Sequence, residues 1–321
     1  MRNALARLAA LAVLCAAAAA AFGQTYPSKP IRMVVAFPPG GGNDIIARLV
    51  SVKLQEALGQ PIVVENRSGA NGIIANEHVA KSPPDGHTLL VGATGQMVIN
   101  AVLYARLPYD TLRDFVPVTT MGYFPMVLVV HPSVPARSVA ELVAYSKANP
   151  DKLSYSAGAA AFLVATEMFK QMTGASVRHI PYKGSAQSVN AVLAGEVQLT
   201  IVDSAPVVAQ IRAGKVRALA VTTASRAPDL PELPTLSEAG VPGYEMTLWS
   251  AVFAPAGTPP AIVSKLQAEI TRVVQLPDVR ERLVSMAVVP GGGPSAELAA
   301  RMRTEMARYR AVAKAADIKV E

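Results

Sequence analysis

Apolar positions along this chain switch repeatedly between a period of two and a period near 3.6, so short strands and amphipathic helices alternate. Ile31 to Ala36 is a run of strand formers, after which Ile45, Leu49, Val52, Leu54 and Leu58 fall on one helical face that Gly59 closes. The unit recurs: Ile62 to Glu65 reads as a short strand, Ile73 to Ala80 as a helix, Pro83-Pro84-Asp85-Gly86 as a turn and Thr88 to Gly92 as a buried strand. Leu107-Pro108-Tyr109-Asp110 and Asp114-Phe115 read as a surface connection, and a new apolar strand runs from Met126 to Val130. Ser138-Val139-Ala140-Glu141 is a capping box for a helix reaching Asn149. Further strands are expected at Leu153 to Ser156, Val177 to Ile180, Leu199 to Val202 and Val216 to Thr222, separated by helices that close at Gly174, Gly195 and Gly214. Such alternation predicts parallel sheets with helices on both faces. A last helix carries Leu298, Met302, Met306 and Tyr309 on one stripe, with Arg301, Arg303 and Arg308 outside it, a pattern suited to lying on a sheet.

Open α/β sheets bind ligands at strand C-termini, so those positions come next. The first is Phe37-Pro38-Pro39-Gly40-Gly41-Gly42-Asn43, a turn from strand straight into helix. Its three glycines let the backbone enter positive φ and approach a ligand, and the first amides of the following helix lack intrahelical partners. A carboxylate or phosphate fits such a cradle. The spacing is not that of a dinucleotide fingerprint, because Ile45 stands where a third glycine belongs, and no Gly-Lys-Ser/Thr follows for a P-loop. Four more strand ends share the design: Gly92-Ala93-Thr94-Gly95, Ser156-Ala157-Gly158-Ala159, Pro181-Tyr182-Lys183-Gly184-Ser185 and Asp203-Ser204-Ala205-Pro206. Any one of them fits an ordinary helix cap or loop; five at equivalent positions make a cleft.

At the N-terminus, Arg2 and Arg7 precede an apolar run from Leu8 to Phe22 with small residues at the cleavage positions before Gln24. This is a secretion signal over residues 1–23, too short and alanine-rich to be a good membrane span. The only cysteine, Cys15, falls inside it, and Leu14 does not suit lipoprotein cleavage, so the exported chain is expected to have no thiol, disulfide or cysteine metal ligand. Losing the two arginines lowers the formal charge from +7 to +5, spread over a chain with 17% charged residues and no Lys/Arg block. That balance attracts anions mildly and lacks the basic, aromatic-studded stripe of a nucleic-acid binder.

The chain resembles the Bug receptors, the extracytoplasmic solute-binding proteins of tripartite tricarboxylate transporters, over nearly its whole exported length. The resemblance rests on Tyr26-Pro27-Ser28-Lys29-Pro30-Ile31, the Phe-Pro-Pro-Gly-Gly turn, Val64-Glu65-Asn66-Arg67, Pro84-Asp85-Gly86, Leu107-Pro108-Tyr109-Asp110 and His179-Ile180-Pro181-Tyr182-Lys183-Gly184-Ser185. It continues through Arg217-Ala218-Leu219-Ala220-Val221-Thr222, Leu233-Pro234-Thr235, Glu238 to Tyr244, Ala254-Pro255-Ala256-Gly257-Thr258-Pro259 and Leu276-Pro277-Asp278-Val279-Arg280. It implies an α/β periplasmic binding protein of type II, with two lobes, each a mixed, mostly parallel sheet flanked by helices, and the ligand cleft between them. The lobes are expected at residues 24–124 plus 246–321 and at 125–245. It also implies a small carboxylate held largely by backbone groups and waters, with Phe37, Gly40, Gly41, Gly42 and Asn43 facing Tyr182, Lys183, Gly184 and Ser185. Ala93, Thr94, Gly158, Ala159, Ala160 and Asp203 complete the expected site. Lys183 reads equally as a ligand contact or a solvated ammonium, and Asp203 as an acceptor for a ligand amine, hydroxyl or water or as the cap of the helix from Pro206.

Two departures from the family bear on the ligand. After Gly158 the chain runs Ala159-Ala160-Ala161-Phe162-Leu163, without the usual hydroxyl donors, and such an apolar wall suits a ligand with a hydrocarbon or ring portion. His87 stands where tyrosine is usual, on a turn away from the cleft, and reads as structural. An enzyme is disfavoured: there is no Gly-x-Ser-x-Gly elbow, no His-x-x-x-His pair among His78, His87, His131 and His179, and no carboxylate pair beside a cleft motif. No cofactor or metal is expected. The partners implied are the two membrane permease subunits of such a transporter, served by a monomeric receptor; a receptor feeding a membrane sensor kinase uses the same fold.

Overall fold

The computed structural model describes residues 26–315, so the secretion signal expected over residues 1–23 lies outside the described residues. In chain order the elements are β1 (Ile31–Val35), α1 (Gly42–Leu58), β2 (Ile62–Asn66), α2 (Ile73–Ala80), β3 (Thr88–Ala93), a π-helical turn (Gly95–Ile99) running into α3 (Asn100–Leu103), and β4 (Phe115–Val130). They continue with α4 (Val139–Ala148), β5 (Ser154–Ala157), α5 (Ala160–Thr173), β6 (Arg178–Pro181), α6 (Gly184–Leu193), β7 (Leu199–Asp203), α7 (Ser204–Arg212) and β8 (Arg217–Val221). The last are β9 (Thr247–Pro255), α8 (Pro260–Val274), α9 (Pro277–Val284), β10 (Val289–Gly292) and α10 (Ser295–Ala315).

The strands form one mixed sheet in the order β2-β1-β3-β9-β4-β7-β5-β6, with β8 and β10 also paired to β4. The two ends are parallel, β1 with β2 and β3, and β5 with β6 and β7, as strand–helix alternation dictates. The middle is antiparallel and belongs to β4, which changes partner along its length. Phe115 to Pro125 pair with β9, whereas Met126 to Val130 pair with β7, and most of that half also with β8. The sequence predicts a strand only from Met126, whereas β4 starts at Phe115 and carries Pro117, Gly122 and Pro125 within it. Pro117 and Gly122 lie where the register shifts, between Pro117 and Thr119 and between Thr120 and Gly122, since a bulge removes the need for every amide to pair, and Pro125 is the last residue paired with β9.

Two packing details differ from the sequence expectation. On α1 the buried stripe is Ile46, Val50, Leu54 and Leu58 with Ala47 between, while Val52 is 60% exposed and Ile45 and Leu49 are half-buried. Stepping back by four from Leu58 gives this face; counting only large side chains shifted its phase, because small Ala47 and Ser51 occupy buried positions. The supposed surface connection buries Tyr109 and Phe115, whose rings meet edge to face at 5.9 Å. The stripe on α10 is as expected: Leu298, Met302, Met306 and Tyr309 are all buried, and Trp249 of β9 donates from Nε1 to Glu305 of the same helix at 2.8 Å. His87 is structural, stacked edge-on against Tyr26 with its Nε2 accepting from the Ser28 amide at 3.3 Å.

Candidate functional site

The turn after β1 is held by a carboxylate of its own helix. Asp44, in the first turn of α1, accepts from the Gly40 amide at 2.9 Å, from Arg48 Nε at 3.0 and 3.1 Å, and from Asn66 Nδ2 at 2.9 Å. Asn66 Nδ2 also reaches the Phe37 carbonyl at 3.0 Å, so the Asn-Arg motif at the end of β2 braces the turn. Burial alone would raise the Asp44 carboxyl, but the hydrogen bonds from Arg48, Gly40 and Asn66 outweigh it and hold the group below its ordinary value. The left-handed residue of this turn is Gly40, at φ +85°. Gly41 sits at φ −83°, so positive φ does not explain it; the reason for glycine there is space, because a Cβ would lie 2.9 Å from Ser185 Oγ.

That contact marks the opposing wall. The turn between β6 and α6 brings Gly184, at φ +76°, against Pro38, where an added Cβ would lie 3.1 Å from Cδ. The Gly184 amide donates to the Gly158 carbonyl at 2.8 Å, and a Cβ on Gly158 would overlap the Gly184 backbone. Glycine is therefore required at both positions for the ends of β5 and β6 to touch.

Asp203, at the end of β7, joins the two walls. Its Oδ2 accepts from the Gly42 amide, 161 residues away in sequence, at 2.8 Å, and the Ser185 hydroxyl bonds to the same carboxyl group. It occupies the N-cap position of α7 without capping it: no α7 amide bonds to the side chain. The side chain is 2% exposed, and desolvation, only partly offset by Ser185 and by the Gly42 and its own amides, pushes the carboxyl up to about 6. Its Oδ1 is buried and finds no hydrogen-bond partner among the described residues.

A cavity partly open to solvent lies where these elements meet. It is lined by Phe37, Gly41, Gly42, Asn43, Asp44, Ala93, Thr94, Gly95, Phe124, Ala159, Ala161, Phe162, Gly184, Ser185, Asp203 and Leu248. The starts of α1, α5, α6, α7 and the π-helical turn thus face one space, as the five strand ends suggested. At the start of α1 the amides of Gly41, Asn43 and Asp44 donate to no acceptor among the described residues. Thr94 Oγ1 accepts from the Trp249 amide at 3.0 Å, which leaves its hydroxyl proton for the cavity. Phe37, Phe124, Phe162, Leu248 and the alanines supply an apolar surface, and among the described residues no lysine, arginine or histidine lines the space.

Ten of the fifteen residues expected from sequence line this cavity; Gly40, Gly158, Ala160, Tyr182 and Lys183 do not. Gly40 shapes the turn, and Ala160 is buried in the first turn of α5. Gly158, Tyr182 and Lys183 line a neighbouring chamber with Phe37, Pro38, Gly184 and residues 68–72. There Tyr182 turns its hydroxyl to Glu196 at 2.9 Å. Of the lining residues outside the expected set, Asp44 and Gly95 adjoin expected turns and Ala161 and Phe162 belong to the apolar run. Phe124 and Leu248 face the cavity from the interiors of β4 and β9, where no strand-end signal exists. Among the described residues no cluster of three or more His, Cys, Asp or Glu could hold a metal, and no helix is long and apolar enough to cross a membrane.

A curled mixed sheet whose helix starts face one cavity defines the class: a solute-binding receptor with the fold of the periplasmic binding proteins. Residues 46–318 match the model of the tripartite tricarboxylate transporter family receptor, TctC, and the chain belongs to that family. It is 42% identical over 288 residues to the UPF0065 protein of the tcbD-tcbE intergenic region of Pseudomonas sp. strain P51, covering 89% of this chain and 85% of that one. It is 39% identical to protein BugT of Bordetella pertussis, covering 85% of each. Among solved structures, R. palustris Rpa4515 with adipate superposes with a TM-score of 0.89 at 40% identity, over 92% of this chain and 99% of the other. MatC from Rhodopseudomonas palustris with bound malate superposes with a TM-score of 0.85 at 31% identity, over 89% and 99%. The family is one of transporter receptors, so the chain is a receptor and not an enzyme.

Proposed function

We propose that this receptor captures one small carboxylic acid in the cavity, with its carboxylate on the backbone amides at the start of α1 and its hydrocarbon portion against Phe37, Phe124, Phe162 and Leu248. The observation that carries the reading is the cavity's division: free helix-start amides on one side, apolar side chains on the other, and no cationic side chain between them. Unpaired amides at a helix start bind an anion without a counter-ion. The adipate and malate in the related structures support the same ligand class.

Residues 24–124 with 246–321 form one lobe and 125–245 the other in this reading, with the boundary near the point where β4 exchanges β9 for β7. The lobes close on the ligand through Asp203 and Gly42. After export and loss of residues 1–23, the receptor works in the periplasm as a monomer and delivers its ligand to the two membrane permease subunits of a tripartite tricarboxylate transporter. Lys183 belongs to the outer chamber and lends a screened charge only. Calorimetry over aliphatic and aromatic mono- and dicarboxylates is the test: one or more should bind with one-to-one stoichiometry, and binding of a sugar or a cation with no acid bound would overturn the proposal.

A further inference from the structure

The cavity holds a carboxylate of the protein's own, and this bears on which acids it retains. Asp203 is buried, lines the cavity and is anchored through Oδ2 to the Gly42 amide, which lies in the chain between the free amides of Gly41 and Asn43. An acid held on those two amides is therefore the immediate neighbour of Asp203. Two bare carboxylates at such range in a water-poor space repel, and one of them must be protonated or separated by a hydrogen-bond donor. Oδ1 has no partner among the described residues, and a buried carboxylate oxygen left unpaired is costly. Asn43 Oδ1, of another residue lining the cavity, is likewise unpartnered, although that amide can turn over to present its NH2 group; Asp203 has no such option when ionised.

Among the described residues no other ionisable group relieves Asp203. On α1, Asp44 is tied to Arg48, and α6 carries no ionisable residue, with Lys183 before it lining the outer chamber. On α5, Glu167 and Lys170 pair with each other and Tyr155 of β5 donates to Glu167; on α7, Arg212 bonds the Ser285 carbonyl. The β4 residue opposite Asp203 is Met126, and the ionisable residue of that strand, Tyr123, donates to Thr120.

We propose that Asp203 determines ligand choice: at neutral pH the retained acid carries a hydrogen-bond donor, a hydroxyl or an ammonium, on the carbon next to its carboxylate, and Asp203 Oδ1 accepts from it. An acid without that donor binds only together with a proton, which then sits between Asp203 and the ligand. The inference rests on the carboxylate reading above and goes one step further, to the group beside the carboxylate.

The test uses three matched pairs, malate and succinate, 2-hydroxyhexanoate and hexanoate, mandelate and phenylacetate, in calorimetry at pH 8.0 and 6.0 on the wild type and on Asp203→Asn. At pH 8.0 the hydroxy acid of a binding pair should bind at least about tenfold tighter than its partner. Between pH 8.0 and 6.0 the plain acid should tighten by roughly tenfold per pH unit until Asp203 titrates, whereas the hydroxy acid should change little. In Asp203→Asn the carbonyl still accepts from Gly42 and the NH2 group donates to the ligand, so the plain acid should bind tightly at both pH values and the preference should vanish. Should that variant fail to fold, wild-type binding enthalpies in buffers of different ionisation heat count the protons directly: about one taken up with a plain acid and about none with a hydroxy acid. Equal affinities within each pair, with no proton uptake, would overturn the inference and leave the carboxylate reading standing. If none of the six acids binds, both fall together.

Discussion

Gly42→Ala separates binding from folding. Gly42 lies in the first turn of α1, outside the left-handed region, so alanine strains no backbone there and is the better helix former, by up to about 1 kcal/mol inside a helix and less at its start. Its Cβ, however, would overlap Asp203 Oδ2, and the bond from the Gly42 amide could not persist at 2.8 Å. A hydrogen bond to a charged group contributes about 1.5 to 3 kcal/mol, so losing this one from the ligand-bound state weakens binding roughly ten- to a hundredfold. The assay pairs calorimetry on an acid the wild type binds with thermal unfolding of the ligand-free protein. Expected are a raised dissociation constant of that size and an unfolding temperature equal to or above the wild type. An unchanged dissociation constant would refute the view that Asp203 and Gly42 hold the two walls together around the ligand.

Three further substitutions test neighbouring points. Lys183→Ala should change affinity by less than about threefold in calorimetry, because the side chain lines the outer chamber and its charge is screened. Gly184→Val should abolish measurable binding, since a branched side chain at φ +76° is strained by about 1 to 3 kcal/mol and meets Pro38, whereas Gly41→Val, at φ −83°, should lose binding through contact with Ser185 at little cost to the unfolding temperature. Asp44→Asn should destabilise the protein by about 1 to 3 kcal/mol in denaturant melts at pH 7. The folded-state value of Asp44 is lowered, so its stabilisation is full above the ordinary carboxylate range and lost as pH falls through the folded value; the difference between Asp44→Asn and the wild type should shrink in acid.

Much of this site was readable in the chain because its parts are local. Strand, glycine turn and helix start are contiguous in sequence, and five such units at equivalent positions placed ten of the expected residues around one cavity. What could not be read depends on distance or phase. Nothing near Asp203 in the sequence names Gly42 as its partner, and a residue before a helix reads as a cap. Gly40 and Gly41 are chemically identical in sequence, and only the backbone tells which of them needs positive φ and which needs space. Phe124 and Leu248 sit inside β4 and β9, where alternation says buried but not against what. Lys183, two residues beyond a strand, reads equally as a ligand contact or a solvated ammonium, and only the fold shows that it lines the neighbouring chamber.

The decisive measurement is a crystal structure of the receptor with its highest-affinity acid from the calorimetric panel. Carboxylate oxygens should lie within hydrogen-bond distance of the Gly41 and Asn43 amides, with the hydrocarbon portion against Phe124, Phe162 and Leu248 and Lys183 Nζ out of contact. A carboxylate paired to Lys183 in the outer chamber, with the inner cavity holding only water, would contradict it.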